Sequence, residues 1–337
     1  MNIMKSIICE EPGKMVIKNE QLNEDIPDDH VLIKIKYIGI CGTDIHAYGG
    51  NQPFFEYPRI LGHELSGEVE KIGELVKDFQ HGDKVTIIPY VSCGYCLSCV
   101  NDKPNCCENI EVIGVHRDGG MTGYLAVPQQ NVIKINDLPL KMGAMIEPLS
   151  IGAHGVRRAN IQQEETVLVV GAGPIGLGVA RFSKLQGAKV IVVDLSEERL
   201  EFCQEWSECD EVIKSNENII EDIKTINDDE LPTVVFDATG NKNSMEQAFN
   251  YVNHGGRIVY AGLVKDNIQF VDPDFHAKEI TLMASRNATL ADFDFVINQI
   301  RDGKIQESYF TKELGFENTL DFFEQGVFKT NKTVIEI

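Results

Sequence analysis

Over the N-terminal part of the chain, apolar residues come in short runs that alternate with polar ones or are rich in β-branched side chains. Between residues 5 and 135 these runs read KSIICE, MVIK, VLIKIKYI, LSGEVEKI, KVTIIP, GYLAVP and NVIKI, separated by Gly, Pro and Asp turns. Runs of this length predict an antiparallel, barrel-like β domain. From Glu165 the rhythm changes. VLVV leads into GAGPIG, a helix-like GLGVARFSKLQG and a buried strand KVIVVD; TVVFDATG, GRIVYAG and EITLMASR follow as strands, with SMEQAFNYV helical between the first two. Strands alternating with helices predict an α/β unit with a doubly wound parallel sheet. After Arg286 two helical segments, DFDFVINQIRDG and NTLDFFEQGV, precede a terminal strand TVIEI, and this tail is expected to return to the first domain. No period of 20–50 residues repeats, which excludes a solenoid or propeller.

Composition narrows the class. A chain of 337 residues suits two domains better than one core. Its 31 Lys+Arg against 52 Asp+Glu, a net charge of -21, excludes nucleic acid and anionic membrane surfaces as ordinary partners. An anionic substrate would need a local basic pocket. MNIMKSIICE lacks the apolar core of a signal peptide, and the most apolar long segment, TVLVVGAGPIGLGVA, is too short and Gly-punctuated to span a bilayer. A cytoplasmic protein is expected. The nine Cys are odd in number and clustered, which points to thiolate ligands and away from a disulfide framework.

The stretch Gly39 to Glu64, GICGTDIHAYGGNQPFFEYPRILGHE, holds a thiol at Cys41, a hydroxyl at Thr43, an imidazole at His46 and the pair His63-Glu64 after Gly62. Thiolate, imidazole and carboxylate are ligand types of zinc, and a catalytic zinc keeps a fourth position open. Cys41 follows one apolar run and His63 precedes another, so the expected metal is clamped between two elements of a folded domain, where it would polarise an alcohol or carbonyl oxygen. A second site is expected at VSCGYCLSCVNDKPNCCEN. Cys93, Cys96 and Cys99 with Cys107 can close a four-thiolate shell, a structural zinc, with Cys106 adjacent to the last ligand. Glu147 stands before Pro148, where a helix would begin. It is either a helix-terminal charge, a zinc ligand, or a group bound to the zinc water. His116 and Arg117 are either solvated turn residues ahead of Asp118-Gly119-Gly120 or a basic wall of the substrate pocket.

Gly171, Gly173 and Gly176, with Pro174 and Ile175 between them, fit G-x-G-x-x-G between a strand and a helix. In that motif the glycines allow the turn, the approach of a pyrophosphate and the packing of helix on sheet. Asp194 ends the second strand and suits a ribose 2′-hydroxyl, which favours NAD over NADP. Arg199 is either a helix-surface charge or a group stacked on adenine. Loops at Ala238, Thr239 and Gly240 and at Gly262 and Leu263, together with Ser285, fall at strand ends where the nicotinamide half would lie.

With these motifs in hand, the chain resembles the zinc-containing medium-chain dehydrogenases over essentially its full length. GHELSGEVEKIGELV, with Gly73 and Val76, C-G-T-D-x-H at Cys41 to His46, the four-Cys lobe and E-P-L at Glu147 carry the resemblance. It implies a GroES-like catalytic β-barrel domain over residues 1–150, a Rossmann NAD-binding domain over 151–286 and a returning segment over 287–337. It also implies two zinc ions per chain, NAD, and a homodimer or homotetramer. HAYGGNQPFFEYPR and VIGVHRDGG look like the branch of bacterial L-galactonate and L-gulonate dehydrogenases, whose substrate is a sugar acid. In sorbitol and threonine dehydrogenases the Glu of G-H-E sits at the metal. That favours Glu64 as third protein ligand, with Glu147 exchanging or holding the zinc water. The same resemblance makes Thr43 the acceptor of the alcohol proton and His46 its route to solvent, with Asp44 in a supporting role. The alternatives are a turn-stabilising hydroxyl and a core imidazole. Arg59, His116, Arg117 and Arg286 are candidates to meet a substrate carboxylate. Rival readings are a neutral-polyol dehydrogenase of the sorbitol type, a threonine-type dehydrogenase, and a non-catalytic NAD-binding protein. Cys41, Thr43, His46, His63, Glu64 and Glu147 are all present, which argues against the last.

Overall fold

In a computed structural model the described residues are 3–52, 55–326 and 331–337. They form two compact units, Met1–Glu147 with Thr289–Ile337, and Pro148–Ala288. Pro53, Phe54 and Val327, which belong to stretches named above, lie outside the described residues.

The first unit is built around the strand His30–Ile40. It pairs antiparallel with Glu64–Ile72 on one side and, on the other, with Tyr124–Pro128 near its start and Thr333–Glu336 near its end. Lys84–Ile87 and Val132–Lys134 extend the sheet beyond Glu64–Ile72, and Lys312–Gly315 extends it beyond Thr333–Glu336. A smaller antiparallel sheet is made by Lys14–Gln21, Ile3–Glu11 and Arg59–Ile60. Ile33, Ile35, Ile38, Leu61, Leu65 and Ile87 are buried between these layers, which is the usual fate of β-branched and aliphatic side chains on paired strands. In the register, Gly39 stands opposite both Glu64 and Val334, so three distant segments meet in one row.

The strand His30–Ile40 runs into a helix, Gly42–Tyr48, that the apolar pattern does not announce, because GTDIHAY has only scattered apolar positions. Its start is local chemistry. Cys41 is the capping residue with extended backbone, and the Asp44 carboxylate accepts from the Cys41 N–H at 2.8 Å, as in a reciprocal capping box.

The second unit is a six-stranded, all-parallel sheet in the order Glu211–Lys214, Lys189–Asp194, Thr166–Val170, Val234–Asp237, Arg257–Tyr260 and Thr281–Ala284. Its central strands are near-continuous apolar runs, as a sheet covered on both faces requires. The helix after the first strand begins at Pro174, two residues before the helix-like run read from the sequence. Proline's fixed φ and missing N–H suit it to a first helical turn. The helix Glu197–Ser207, the strand Glu211–Lys214 and the helix Ile219–Ile226 complete the order where the apolar pattern was too short or too mixed to show them. Among the described residues no helix is long and apolar enough to cross a membrane.

Leu168 lies in the central strand with no exposed surface. Leu168→Ala is expected to lower the unfolding free energy by roughly 2–5 kcal/mol. The measurement is the urea midpoint from the fluorescence of Trp206, the chain's single tryptophan, which is buried in the same unit. An unchanged midpoint would contradict the packing described.

Candidate active site

Cys41, His63 and Glu64 offer a sulfur, a ring nitrogen and a carboxylate oxygen that all lie within 4.8 Å of one another. Cys41 arrives as the cap of Gly42–Tyr48, Glu64 opens the strand Glu64–Ile72, and His63 is the residue before it. The buried Asp44 holds the two places together, because it accepts from the Cys41 N–H at 2.8 Å and from the Gly62 N–H at 3.2 Å. His63 Nδ1 faces the same carboxylate at 3.8 Å, beyond hydrogen-bond reach.

Glu64 is wholly buried. Its Oε1 accepts from Lys332 Nζ, which also donates to the Ile40 carbonyl at 3.0 Å. Its Oε2 has no hydrogen-bond partner, and neither has His63 Nδ1. Buried polar atoms are rarely left unpaired, and an ion or a water is one way such an exception is satisfied. A Cβ at position 39 would come within 1.9 Å of Glu64 Oε2, so the glycine opposite Glu64 is what leaves room for this carboxylate. The donor types, their spacing and the orphaned oxygen fit a zinc ion held by Cys41, His63 and Glu64 with one position open.

Glu147 does not join that cluster. It sits in the first turn of the helix Ile146–Ala159, where its Oε1 accepts from the buried Tyr90 hydroxyl. Burial pushes its carboxyl up to about 7, against the opposing pull of His63. Burial, and after it the charges of Glu64, Cys41 and Glu147, hold the Tyr309 phenol well above its ordinary range. Lys332, Tyr90 and Tyr309 were not legible as site residues. An aromatic in an apolar strand reads as core, and a Lys before a terminal strand reads as a surface charge. Thr43 is partly buried and His46 exposed, three residues apart on one helix and so on neighbouring positions of its surface.

The four-thiol lobe is equally well assembled. Cys96 Sγ is 3.5 Å from Cys99 and 3.9 Å from Cys107, and Cys93 is 4.0 Å from Cys99. Backbone N–H groups of Tyr95 and then Cys96 hold the Cys93 thiol down to about 6, which favours the thiolate a metal needs. Cys107 is buried in this cluster, whereas Cys106, at the end of the turn Pro104–Cys106, is exposed and outside it.

Arg59, His116 and Arg117 line one pocket of about 450 Å³ with Ile113, Asp118 and Leu125. Asp118 lies 3.6 Å from the Arg59 guanidinium, whose Nε is buried without a partner. Arg286 is not among these residues; it follows the strand Thr281–Ala284 of the second unit and is exposed.

In the second unit every strand is parallel, so the loops carrying the expected cofactor residues share one edge of the sheet. Gly171, Gly173, Pro174, Ile175 and Gly176 follow Thr166–Val170, and Asp194 ends Lys189–Asp194. Ala238 and Thr239 follow Val234–Asp237, Gly262 and Leu263 follow Arg257–Tyr260, and Ser285 follows Thr281–Ala284. Gly171 has φ +102°, and a Cβ at Gly176 would meet the Gly171 carbonyl oxygen at 1.8 Å. Only glycine allows that turn and that contact. Asp194 accepts from the Ala172 N–H at 2.7 Å and the Ser196 N–H at 2.8 Å, which ties the glycine loop to the next strand. Arg199 lies in the helix Glu197–Ser207, its N–H donating to the Ser196 hydroxyl that caps the helix. Ser285 Oγ is buried without a partner.

The depth of the Lys332–Glu64 pair yields an expectation for stability. Lys332→Met leaves a buried carboxylate without its cation and should cost roughly 3–5 kcal/mol in urea unfolding, part of which returns in the double variant with Glu64→Gln. A loss below about 1 kcal/mol would show that the pair does not hold this part of the fold.

Residues 27–137 match the alcohol dehydrogenase GroES-like domain, and residues 174–302 match the zinc-binding dehydrogenase family. L-galactonate-5-dehydrogenase of Escherichia coli (strain K12) is 44% identical over 336 residues, covering 99% of this chain and 98% of that protein. The short chain alcohol dehydrogenase (rspB) from E. coli CFT073, solved with NADH, superposes with a TM-score of 0.93 at 31% identity, each chain covered to 100%. A candidate zinc-binding dehydrogenase from Sinorhizobium meliloti 1021, solved with NADP, gives a TM-score of 0.93 at 26% identity and 100% coverage of both. On a match of that identity across almost its whole length, and with both domains of the family in order, the chain belongs to the zinc-type medium-chain alcohol dehydrogenases and is an enzyme of that kind.

Proposed function

We propose that this enzyme is a zinc- and NAD-dependent dehydrogenase that oxidises a secondary hydroxyl of a sugar acid of the L-galactonate or L-gulonate type to the keto-sugar acid. The observation that carries this reading is a half-buried Cys41 beside buried His63 and Glu64, with an orphaned carboxylate oxygen, in a chain 44% identical over 336 residues to an L-galactonate-5-dehydrogenase. When bound, zinc supplies Lewis acidity at a substrate oxygen, and NAD accepts the hydride. Cys41, His63 and Glu64 would hold the metal, and Lys332 fixes the Glu64 carboxylate in place for it. Thr43 takes the proton of the substrate hydroxyl, and the exposed His46 passes it to solvent.

The substrate carboxylate needs positive charge that a chain of net charge -21 does not supply globally. The pocket of Arg59, His116 and Arg117 supports its recognition there. Arg59 is four residues before His63, a separation that extended chain spans in at most about 14 Å. Asp194 supports NAD. Its two oxygens each accept one backbone N–H, which leaves lone pairs for ribose hydroxyls and offers no cation to a 2′-phosphate. A second, structural zinc is held by Cys93, Cys96, Cys99 and Cys107 in this reading, and the enzyme works in the cytoplasm as a homodimer or homotetramer.

The test is NAD reduction with L-galactonate, L-gulonate, sorbitol and threonine, with and without a chelator, and with NADP in place of NAD. Turnover of an aldonate with NAD, lost on chelation, is expected, and Arg59→Ala and Arg117→Ala should weaken the aldonate more than the matching neutral polyol. Turnover of sorbitol or threonine without either aldonate would overturn the sugar-acid reading, and turnover of none of the four would favour a non-catalytic NAD-binding protein. Metal content provides a separate check. Cys107→Ser should lose one zinc per chain, and Cys106→Ser should lose none; the reverse would reassign the lobe.

A further inference from the structure

Two buried donors divide the two carboxylates of the site between them. Lys332 takes Glu64 Oε1 and leaves Oε2 without a hydrogen-bond partner, while the carboxylate groups with Cys41 and His63. Tyr90 takes Glu147 Oε1, and Glu147 stays outside the donor cluster. Tyr90 is itself immobilised. It begins the short strand Tyr90–Val91 paired with Glu111–Val112, its carbonyl accepts from Asn131 Nδ2 at 3.1 Å, and its ring meets Phe293 edge-on at 6.4 Å. Both Tyr90 and Glu147 are buried, with 8% and 4% of their surface exposed. Were Glu147 to swing to the metal, this hydrogen bond would break and leave the phenol oxygen buried and unpaired, an unfavourable exchange.

We propose that Tyr90 is a positioning residue that withholds Glu147 from the metal, so that the ligand set stays Cys41, His63 and Glu64 and the fourth position stays open to substrate. The inference rests on the catalytic-zinc reading given above, and the two can fail separately. The Tyr90 hydroxyl donates to Glu147, whose charge acts on it more strongly than those of Cys41 and Glu64, and Y90F/E147Q isolates the part of its effect that runs through Glu147. A purely structural role in packing would be carried by the ring, which Tyr90→Phe keeps.

The experiment measures zinc stoichiometry and the zinc dissociation constant of the Cys41 site, by competition with a chromophoric chelator, in the full-length enzyme and in Y90F, E147Q and Y90F/E147Q. The Cys93–Cys107 lobe serves as an internal constant. In Y90F the released Glu147 should join the metal and tighten zinc binding about tenfold or more, the order of magnitude by which outer partners tune metal sites. E147Q alone should stay within about twofold of wild type, and Y90F/E147Q should return to the wild-type value. An unchanged or weaker affinity in Y90F, or a tenfold loss in E147Q alone, would overturn the proposal, and the E147Q outcome keeps that force even if Y90F does not fold. A wild-type enzyme with one zinc per chain, retained in Cys41→Ser, would overturn the catalytic-zinc reading itself, and the role of Tyr90 with it.

Discussion

A carboxylate shut away from water must find its compensating charge inside the fold, and Glu64 finds it 268 residues further along the chain, at Lys332. Burial alone would lower the pKa of Lys332, but the charge of Glu64, followed by that of Cys41, raises it. An ion pair this deep gives little net stability against an apolar pair of the same volume, yet halving it is costly. What it fixes is orientation. One carboxylate oxygen is spent on the cation, the other has no hydrogen-bond partner, and the carboxylate is held within 4.8 Å of a thiol and an imidazole. The rest of the first unit serves that arrangement: the row Glu64–Gly39–Val334 sets the three strands in register, and the missing Cβ at Gly39 clears the volume.

Asp44 does the complementary work at short range. By accepting from both the Cys41 and Gly62 N–H groups, it starts a helix and anchors the loop before His63 with one side chain. Cys41 and His63, some twenty residues apart in sequence, are thereby brought to a common point by one buried carboxylate. The Tyr90–Glu147 contact is of the same kind, a buried hydrogen bond that fixes one carboxylate in place.

The cofactor unit depends on a simpler constraint. In an all-parallel sheet every carboxyl end falls on one edge, so loops far apart in sequence, at 171–176, 238–240 and 262–263, gather there without further instruction. The glycine contact between Gly176 and the Gly171 carbonyl and the Asp194 bond to Ala172 then lock the first of these loops to its neighbouring strand.

Much of this was legible from residue order. The change from period-two runs to alternating strands and helices gives the fold class, because burial on one face or on two leaves its period in the sequence. Cys41, His63 and Glu64 could be picked out by donor chemistry, and Gly171, Gly173 and Gly176 by spacing. Local pattern was insufficient where the outcome rested on contacts across the chain. The helix Gly42–Tyr48 follows from a cap and not from apolar spacing. Cys106 and Cys107, neighbours in sequence, part company only because a tight turn exposes one and buries the other. Lys332, Tyr90 and Tyr309 look like an ordinary surface cation and ordinary core aromatics until the fold sets them beside buried carboxylates. The sequence by itself therefore determined the donor types, the glycine spacing and the architecture, since each is written in local composition and period. Which carboxylate pairs with Lys332 and which with Tyr90 was decided by the tertiary structure alone, because it depends on where distant buried donors come to lie.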